Sequence, residues 1–361
     1  MRPVVAAFNG PLTAIWILSE RILHQLLTFV PAHIPNTVAA TRSLETTFPF
    51  LRMPSNAIVV TMDVVALYPS IPIEDGIAAA IEKLKQHENE IDTLGIPLSD
   101  IETLLRFVLT SNYFQFGGKV YRQKSGVAMG NHLAPPLAIT FMDKIELLRT
   151  AKETPAFYDR YVDDCLMVWC HGQDELVQFI EHCNKQHPKI RFTWESSLNG
   201  HPVSYMDMLL TIRPDNQLEY ELFQKPSDSG VNLNLESSIP RHVKESVAAQ
   251  QFRRAVTLSS NGRAEERSKK KICNLLHGNG FPLDDIKRAQ VRSGQPRQHQ
   301  LGQKRTQPKA NVYLLFRSDG LDRKVRRLTR RSKIPFRVVY TQGKSLKRTL
   351  VRSALLPKSR K

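Results

Sequence analysis

Apolar residues recur at helical spacing over residues 12–30 (Leu12, Ile15, Trp16, Leu18, Ile22, Leu23, Leu26, Leu27), which predicts an amphipathic helix. Residues 57–65, AIVVTMDVV, break that period. They are β-branched and nearly continuous, as expected of a strand buried on both faces. Pro69 and Pro72 end the strand, and Pro72 suits the first position of a helix over IEDGIAAAIEKLKQ. Ser99-Asp100 reads as the N-cap pair of another helix. Residues 113–122, YFQFGGKVYR, alternate around Gly117-Gly118, a hairpin signal. A glycine-containing loop, SGVAMGN, leads to a mostly apolar helix over residues 133–148. FYDRYVDDCLMVW (157–169) reads as two strands turning at Asp163-Asp164, and QDELVQFIEHCNKQ as an amphipathic helix. KIRFTWES, PVSYMDMLLTI and QLEYELFQK read as strands. The order predicts an α+β fold, with helices on one face of an antiparallel sheet.

Beyond residue 240 the pattern turns helical and basic. Residues 290–310 are polar and rich in Pro and Gln, as in a linker. Residues 311–356 read as a small ordered unit: strand NVYLLF, basic helix DRKVRRLTRRS, strand FRVVYT, turn QGK, helix SLKRTLVRSALL.

Charge sharpens this division. The 361 residues carry a net +17, but residues 241–361 hold 32 Lys+Arg against 7 Asp+Glu, while residues 1–240 hold 19 against 27. So uneven a distribution points to a polyanionic partner for the C-terminal third, with a solvated basic tail as the alternative. A hydrophobic content of 41% argues against wholesale disorder. The four cysteines, Cys165, Cys170, Cys183 and Cys273, form no CxxC pair, so nothing in them suggests a zinc knuckle or a disulfide framework, which fits a reducing compartment. No run reaches the roughly 18 apolar residues that span a membrane. The N-terminal apolar stretch is broken by Asn9-Gly10-Pro11 and is not read as a secretion signal.

Two carboxylate sites interrupt core strands. Asp63 lies at the end of the first strand, and Asp163-Asp164 lie at a hairpin tip. Charges in such places are costly unless paired or bound to a metal. Nucleotidyl transfer uses an arrangement of this kind, with two divalent ions about 3.5–4 Å apart clamping the attacking and leaving oxygens. A bare DD pair is more often a turn, so the weight falls on its neighbours. TMDVVALYPSIP resembles the first palm motif of reverse transcriptases, and RYVDDCLMVW resembles their YxDD box. YRQKSGVAMGNHLAPPLA resembles the loop and helix between the two. The wording is most similar to Penelope-like retroelement reverse transcriptases, relatives of telomerase. It continues through HPKIRFTWE, VSYMDMLLTI and ELFQKPSDSGVNLN to SIPRHVKESVAAQQFRRAVTLSS, and returns at IPFRVVYTQGKSLKRTLVRSALL.

The resemblance implies a right-hand polymerase with a palm, partial fingers and a helical basic thumb. Residues 1–238 would be partial fingers and palm, 239–289 the thumb, 290–310 a linker and 311–361 a basic connector unit. It implies an RNA-directed DNA polymerase working on an RNA template, a DNA primer and dNTPs with two Mg²⁺ ions (or Mn²⁺). Asp63, the Val64 carbonyl, Asp163 and Asp164 would hold the metals. Tyr68 would block a ribose 2′-OH; outside the motif it would read as a core aromatic. Arg2, Gly126, Met129 and Gly130 would contact the incoming nucleotide or template. Tyr205, Met206 and Asp207 would form the primer grip, with an ordinary amphipathic strand as the alternative. Lys189, or Lys185, would be the general acid for pyrophosphate. Arg241, Lys244, Arg253, Arg254, Arg263, Arg267 and Lys269–Lys271 would hold duplex phosphates. The runs at 269–271 and 323–333 also suit nuclear import. The resemblance further implies fingers truncated at the N-terminus, since Met1-Arg2-Pro3 falls at the family's RPVV stretch, and the absence of a GIY-YIG endonuclease from residues 1–361. A nucleic-acid-binding fragment that does not polymerise is the alternative; an RNA-dependent RNA polymerase is disfavoured by Tyr68 and by YVDD.

Overall fold

The computed structural model describes residues 12–145, 151–225, 227–228, 230, 234–237 and 239–294, together with the backbone of 312–316 and 336–340. The chain divides into two units, Met1–Phe223 and Gln224–Lys361. In the first unit, α1 (Thr13–Gln25) runs into a 3-10 turn (Leu26–Phe29) and is followed by α2 (Thr37–Thr47). Then come β1 (Ile58–Val64), the single-turn α3 (Leu67–Ser70), α4 (Ile73–Gln86) and α5 (Leu98–Thr110). The hairpin β2 (Tyr113–Phe116) and β3 (Lys119–Arg122) precedes α6 (Ala134–Lys144). A second hairpin, β4 (Phe157–Tyr161) and β5 (Asp164–Trp169), leads to α7 (Gln173–Lys185) and β6 (Phe192–Ser196). Three short strands, β7 (Val203–Tyr205), β8 (Met208–Ile212) and β9 (Leu218–Leu222), finish the unit.

β4, β5, β1 and β6 form one antiparallel sheet in that order, so β1 and β5 are central. This explains why their sequences lack polar alternation: both faces are covered. Ile58, Val60, Met62 and Val64 of β1, with Cys165, Met167 and Trp169 of β5, pack into one core with α1, α4, α5, α6 and α7. On the opposite face Val59, Leu166 and Val168 are also buried. β7, β8 and β9 form a separate three-stranded sheet that touches β1 and β5 through β7. Its Val203, Tyr205, Met208, Leu210, Leu218, Tyr220 and Leu222 are buried at period two. The Tyr220 hydroxyl donates to Glu45 of α2 at 2.6 Å.

The first unit is therefore mixed α and β with antiparallel sheets, as expected, but its strands fall into three sheets, the β2–β3 hairpin being the third. PVSYMDMLLTI is not one strand; it is a tight hairpin with Met206 at φ 51°. Two helix starts also differ from expectation. Pro72 caps α4 from outside rather than opening it, and α5 begins at Leu98 behind Pro97. The Ser99 hydroxyl donates to Asp100 and caps no backbone N–H. The 12–30 helix breaks at Leu26, and the whole of α2 lies where the sequence offered weak apolar periodicity.

The second unit contains α8 (Arg241–Thr257), α9 (Gly262–Gly278) and α10 (Leu283–Gly294), and a parallel pair, β10 (Val312–Phe316) with β11 (Phe336–Tyr340). α10 extends four residues past position 290 into the stretch read as linker. Asn261 caps α9, its Oδ1 accepting from Ala264 N–H at 3.0 Å. Lys244 departs from its expected role. It is 6% exposed, and its ammonium donates to the carbonyls of Leu235 and Ser237 at 2.5 and 2.6 Å. It ties a loop to α8 and is not available to a phosphate. The basic helix over DRKVRRLTRRS and the helix over SLKRTLVRSALL fall outside the described residues, as do Arg2 and residues 146–148.

Candidate active site

Strand register assembles the site. Asp63 at the end of β1 lies directly opposite Asp164 at the start of β5. Opposed residues on antiparallel strands project to the same face. Continuing across the sheet, Tyr161, Asp164, Asp63 and Thr193 form one row, and Asp159, Leu166, Thr61 and Glu195 the next. The end of this face opens into a cleft of ≈ 230 Å³ lined by Asp63, Asp164, Thr193, Glu195, Ser204 and Tyr205, among others. The Asp63 side is exposed and Asp163 and Asp164 are half-buried, so these carboxylates keep contact with solvent.

Asp163 sits in the β4–β5 turn, where Val162 has φ 55°. A β-branched residue in the left-handed region is costly, and such strain persists only where the surroundings enforce it. The enforcement is visible. The Val64 N–H donates to the Asp163 carbonyl at 3.3 Å, which ties the turn to the end of β1. Arg160, 2% exposed, donates from its guanidinium to the Val162 carbonyl at 3.3 Å and to the Ile139 carbonyl of α6 at 3.2 Å. One buried cation thus holds the strained turn and anchors it to a helix. Its backbone is held as well, by the Ala32 carbonyl at 2.6 Å and the Ile34 N–H at 3.1 Å.

Tyr68 approaches from α3. Burial first, then the negative charge of Asp163 and the neighbouring Tyr161, push its phenol up to about 12. It therefore stays neutral beside the carboxylates. The Tyr68 carbonyl accepts from Val127 N–H at 2.8 Å, docking the glycine-containing loop. Gly126 makes that close approach possible. At φ +74° a Cβ there would stand 2.6 Å from the backbone of Pro69. Gly126→Ala is accordingly expected to cost about 2–3 kcal/mol in urea unfolding, from left-handed strain plus overpacking. Unchanged stability would show that the loop does not press on Pro69.

The structure thus brings Asp63, Asp164 and Tyr205 to one cleft, sets Asp163 in the adjoining turn, and gathers Tyr68 and Gly126 beside that turn. Met206 and Asp207 form the tip of the β7–β8 hairpin, and the Asp207 carbonyl accepts from Phe223 N–H at 2.8 Å. The Tyr205 hydroxyl is buried with no hydrogen-bond partner among the described residues. Lys185 pairs with Glu181 at 3.7 Å and Lys189 is exposed, its N–H donating to His187; neither lines the cleft. Met129 is half-buried and Gly130 takes φ 91°. Sequence reasoning missed Thr193, Glu195, Ser204 and above all Arg160. The signal for Arg160 was the Asp159-Arg160 charge pair inside an apolar hairpin.

Asp159, unlike the solvent-facing carboxylates, is a buried acid on the same face. Burial lifts its carboxyl from 3.8 to about 6, opposed by a hydrogen bond with Ser43. Because the folded state binds this proton more tightly than the unfolded chain, stability is full below about pH 4 and falls as pH rises to about 6. The loss is on the order of 1–3 kcal/mol, reduced by solvent screening of a group that is not fully enclosed. Asp159→Asn should flatten that window in pH-dependent unfolding; an unaltered slope would assign it to other groups.

The donor set is oxygen only: Asp63, Asp163, Asp164 and the nearby Val64 carbonyl. Such a set suits Mg²⁺ or Mn²⁺, which take few carboxylates and complete their shell with water and substrate oxygens. Among the described residues, no group of three or more His, Cys, Asp or Glu side chains is gathered to hold an ion by itself. The residues fit an ion completed by substrate and do not fit a closed structural site.

Residues 232–291 match the family model described as an animal helix-turn-helix domain, which covers α8, α9 and most of α10. No curated protein matches the chain in sequence. Among solved structures, the chain is similar to telomerase from Candida albicans in complex with a fragment of telomeric RNA. Identity is 13%, coverage 79% of this chain and 48% of that one, and the TM-score 0.48. It is similar to apo telomerase from Candida tropicalis at 12% identity, with coverage of 78% and 50% and a TM-score of 0.48. It is also similar to the BmCPV RNA-dependent RNA polymerase, at 11% identity, coverage of 74% and 24%, and a TM-score of 0.45. The chain spans half or less of each of these structures. Among the described residues no helix is long and apolar enough to cross a membrane.

Proposed function

We propose that this chain is a nucleic-acid polymerase of the reverse-transcriptase type, from a Penelope-like retroelement, adding dNTPs to a DNA primer on an RNA template. The observation that carries the reading is the register of Asp63 against Asp164, with Asp163 in the strained turn between β4 and β5. Asp63, Asp163, Asp164 and the Val64 carbonyl would hold Mg²⁺ or Mn²⁺, which supplies charge neutralisation at the attacking and leaving oxygens. Arg160 and the Val64–Asp163 hydrogen bond keep the turn carboxylate in place before substrate arrives. Tyr68, held neutral against the docked 125–128 loop, presents a ring where a 2′-OH would stand. Tyr205 and its hairpin would set the primer end beside Asp164. The exposed cations of α8–α10 would bind duplex phosphates, and the basic runs would direct the protein to the nucleus. The helix-turn-helix match agrees with a nucleic-acid-binding second unit.

The test is primer extension with purified protein, an RNA template, Mg²⁺ and either dNTPs or rNTPs. Extension with dNTPs is expected, and Tyr68→Ala should raise rNTP use by about 10-fold or more, the value of a lost steric contact. An rNTP preference in the unaltered protein would instead assign an RNA polymerase. A second reading, binding without polymerisation, draws on the lack of a gathered three-donor group among the described residues. It predicts nucleic-acid binding with no extension under any metal.

A further inference from the structure

The β2–β3 hairpin stands apart from the cleft and its composition is unusual. Tyr113 is 57% exposed, Phe116 67% and Tyr121 42%. A two-stranded hairpin is marginal by itself in water, and a cluster of exposed aromatics marks a binding surface. The ladder places a cation straight across from two of these rings, one pair on each face of the hairpin: Tyr113 with Arg122 on one face, and Phe116 with Lys119 on the other, where Tyr121 stacks on Phe114 at 5.6 Å. Lys124 follows at once. No Asp or Glu occurs between Glu102 and Asp143. The tip, Gly117-Gly118, takes left-handed φ with open space around each glycine.

We propose that this hairpin is a stacking platform for single-stranded nucleic acid. Tyr113 and Phe116 offer flat faces to unpaired bases, one on each side of the hairpin, and the cation opposite each of these two rings meets the adjoining phosphate. The acid-free run excludes a cationic partner and favours a polyanion over a protein surface of mixed charge. The hairpin also leads straight to the candidate site. Gln123 donates to the Ser125 carbonyl at 2.9 Å and to the Gly126 carbonyl at 3.2 Å, and Val127 is bonded to Tyr68. A strand on the platform is thus a few residues from the proposed nucleotide-selecting ring. The inference extends the polymerase reading to a new surface, and it is tested without turnover.

Binding of a fluorescein-labelled 15-mer oligouridylate is followed by anisotropy in EDTA, with neither metal nor nucleotide. Phe116→Leu and Tyr113→Leu should each weaken binding roughly 5- to 100-fold, whereas Phe116→Trp should retain it and show indole quenching as bases stack. Lys119→Gln and Arg122→Gln should each lower the salt slope by about 1. All of these residues are exposed, so the variants should fold. Equal affinity of the leucine variants, or a tryptophan at 116 that is not quenched, overturns the platform. So does a leucine variant whose only change is in oligomeric state, which would make the patch a protein contact. Primer extension is measured separately: platform binding without extension retires the polymerase reading alone, and extension indifferent to the hairpin retires the platform alone.

Discussion

Asp163→Asn is expected to lower primer extension about 10³-fold or more while leaving the thermal midpoint unchanged or slightly raised. The substitution keeps size and turn propensity and removes only the charge. The backbone tie survives, because it runs through the Asp163 carbonyl and the Val64 N–H. If Asp163 holds a metal as proposed, its loss removes several kcal/mol of transition-state stabilisation, and each 1.36 kcal/mol is a factor of ten. Stability is expected to hold or rise slightly because Asp163 and Asp164 are adjacent in the chain, and removing one of two neighbouring like charges relieves repulsion. Asp63→Asn should behave alike; its side chain is exposed, and its neighbours Met62 and Val64 hold the strand. The paired readout separates chemistry from folding. A variant that loses activity together with its cooperative unfolding would say that the carboxylate is structural. Retention of extension within tenfold would falsify the metal-holding role.

Arg160→Met is expected to destabilise the first unit by about 4 kcal/mol. The buried Ile139 carbonyl and the half-buried Val162 carbonyl would each lose a charged donor, at roughly 1.5–3 kcal/mol apiece. Methionine fills the arginine stem, which limits cavity loss, so the cost reports mainly on the orphaned carbonyls. Part of it is offset because a buried cation is itself expensive. Arg160→Lys should recover only a fraction, since one ammonium cannot reproduce a planar fork spanning a turn and a helix. Equilibrium urea unfolding measures both. Mn²⁺ affinity by electron paramagnetic resonance measures whether the carboxylate turn has shifted. Full stability in the methionine variant would mean that the strained turn is held by the strands alone.

Much of the site is legible in the order of residues alone. Continuous apolar runs place β1 and β5, which are buried on both faces, and period-3.6 patterning places α4 and α7, which bury one face in the domain core. The three aspartates stand out because a charge inside a buried strand has few structural excuses. The glycine-containing loop is visible too, although its reason is not: only the fold reveals that Gly126 meets the Pro69 backbone. The elements that patterning misjudges are those whose burial comes from distant partners. α2 has a weak apolar stripe and is covered through contacts such as Glu45 with Tyr220, 175 residues away. Lys244 reads as a surface cation because nothing local marks a lysine whose ammonium is taken by two loop carbonyls.

The sequence by itself determined the apolar runs that make strands buried on both faces and the positions where acids interrupt them. Only the tertiary structure decided register, and register is what turns three separated aspartates into a pair across one ladder and a third in the turn beside it. It also decided that Arg160 faces inward to hold Val162, and that Tyr113 and Phe116 face outward with cations opposite. Local propensity sets which way successive side chains alternate. Which face is buried, and which partner stands across from it, follow from packing against chain far away in sequence.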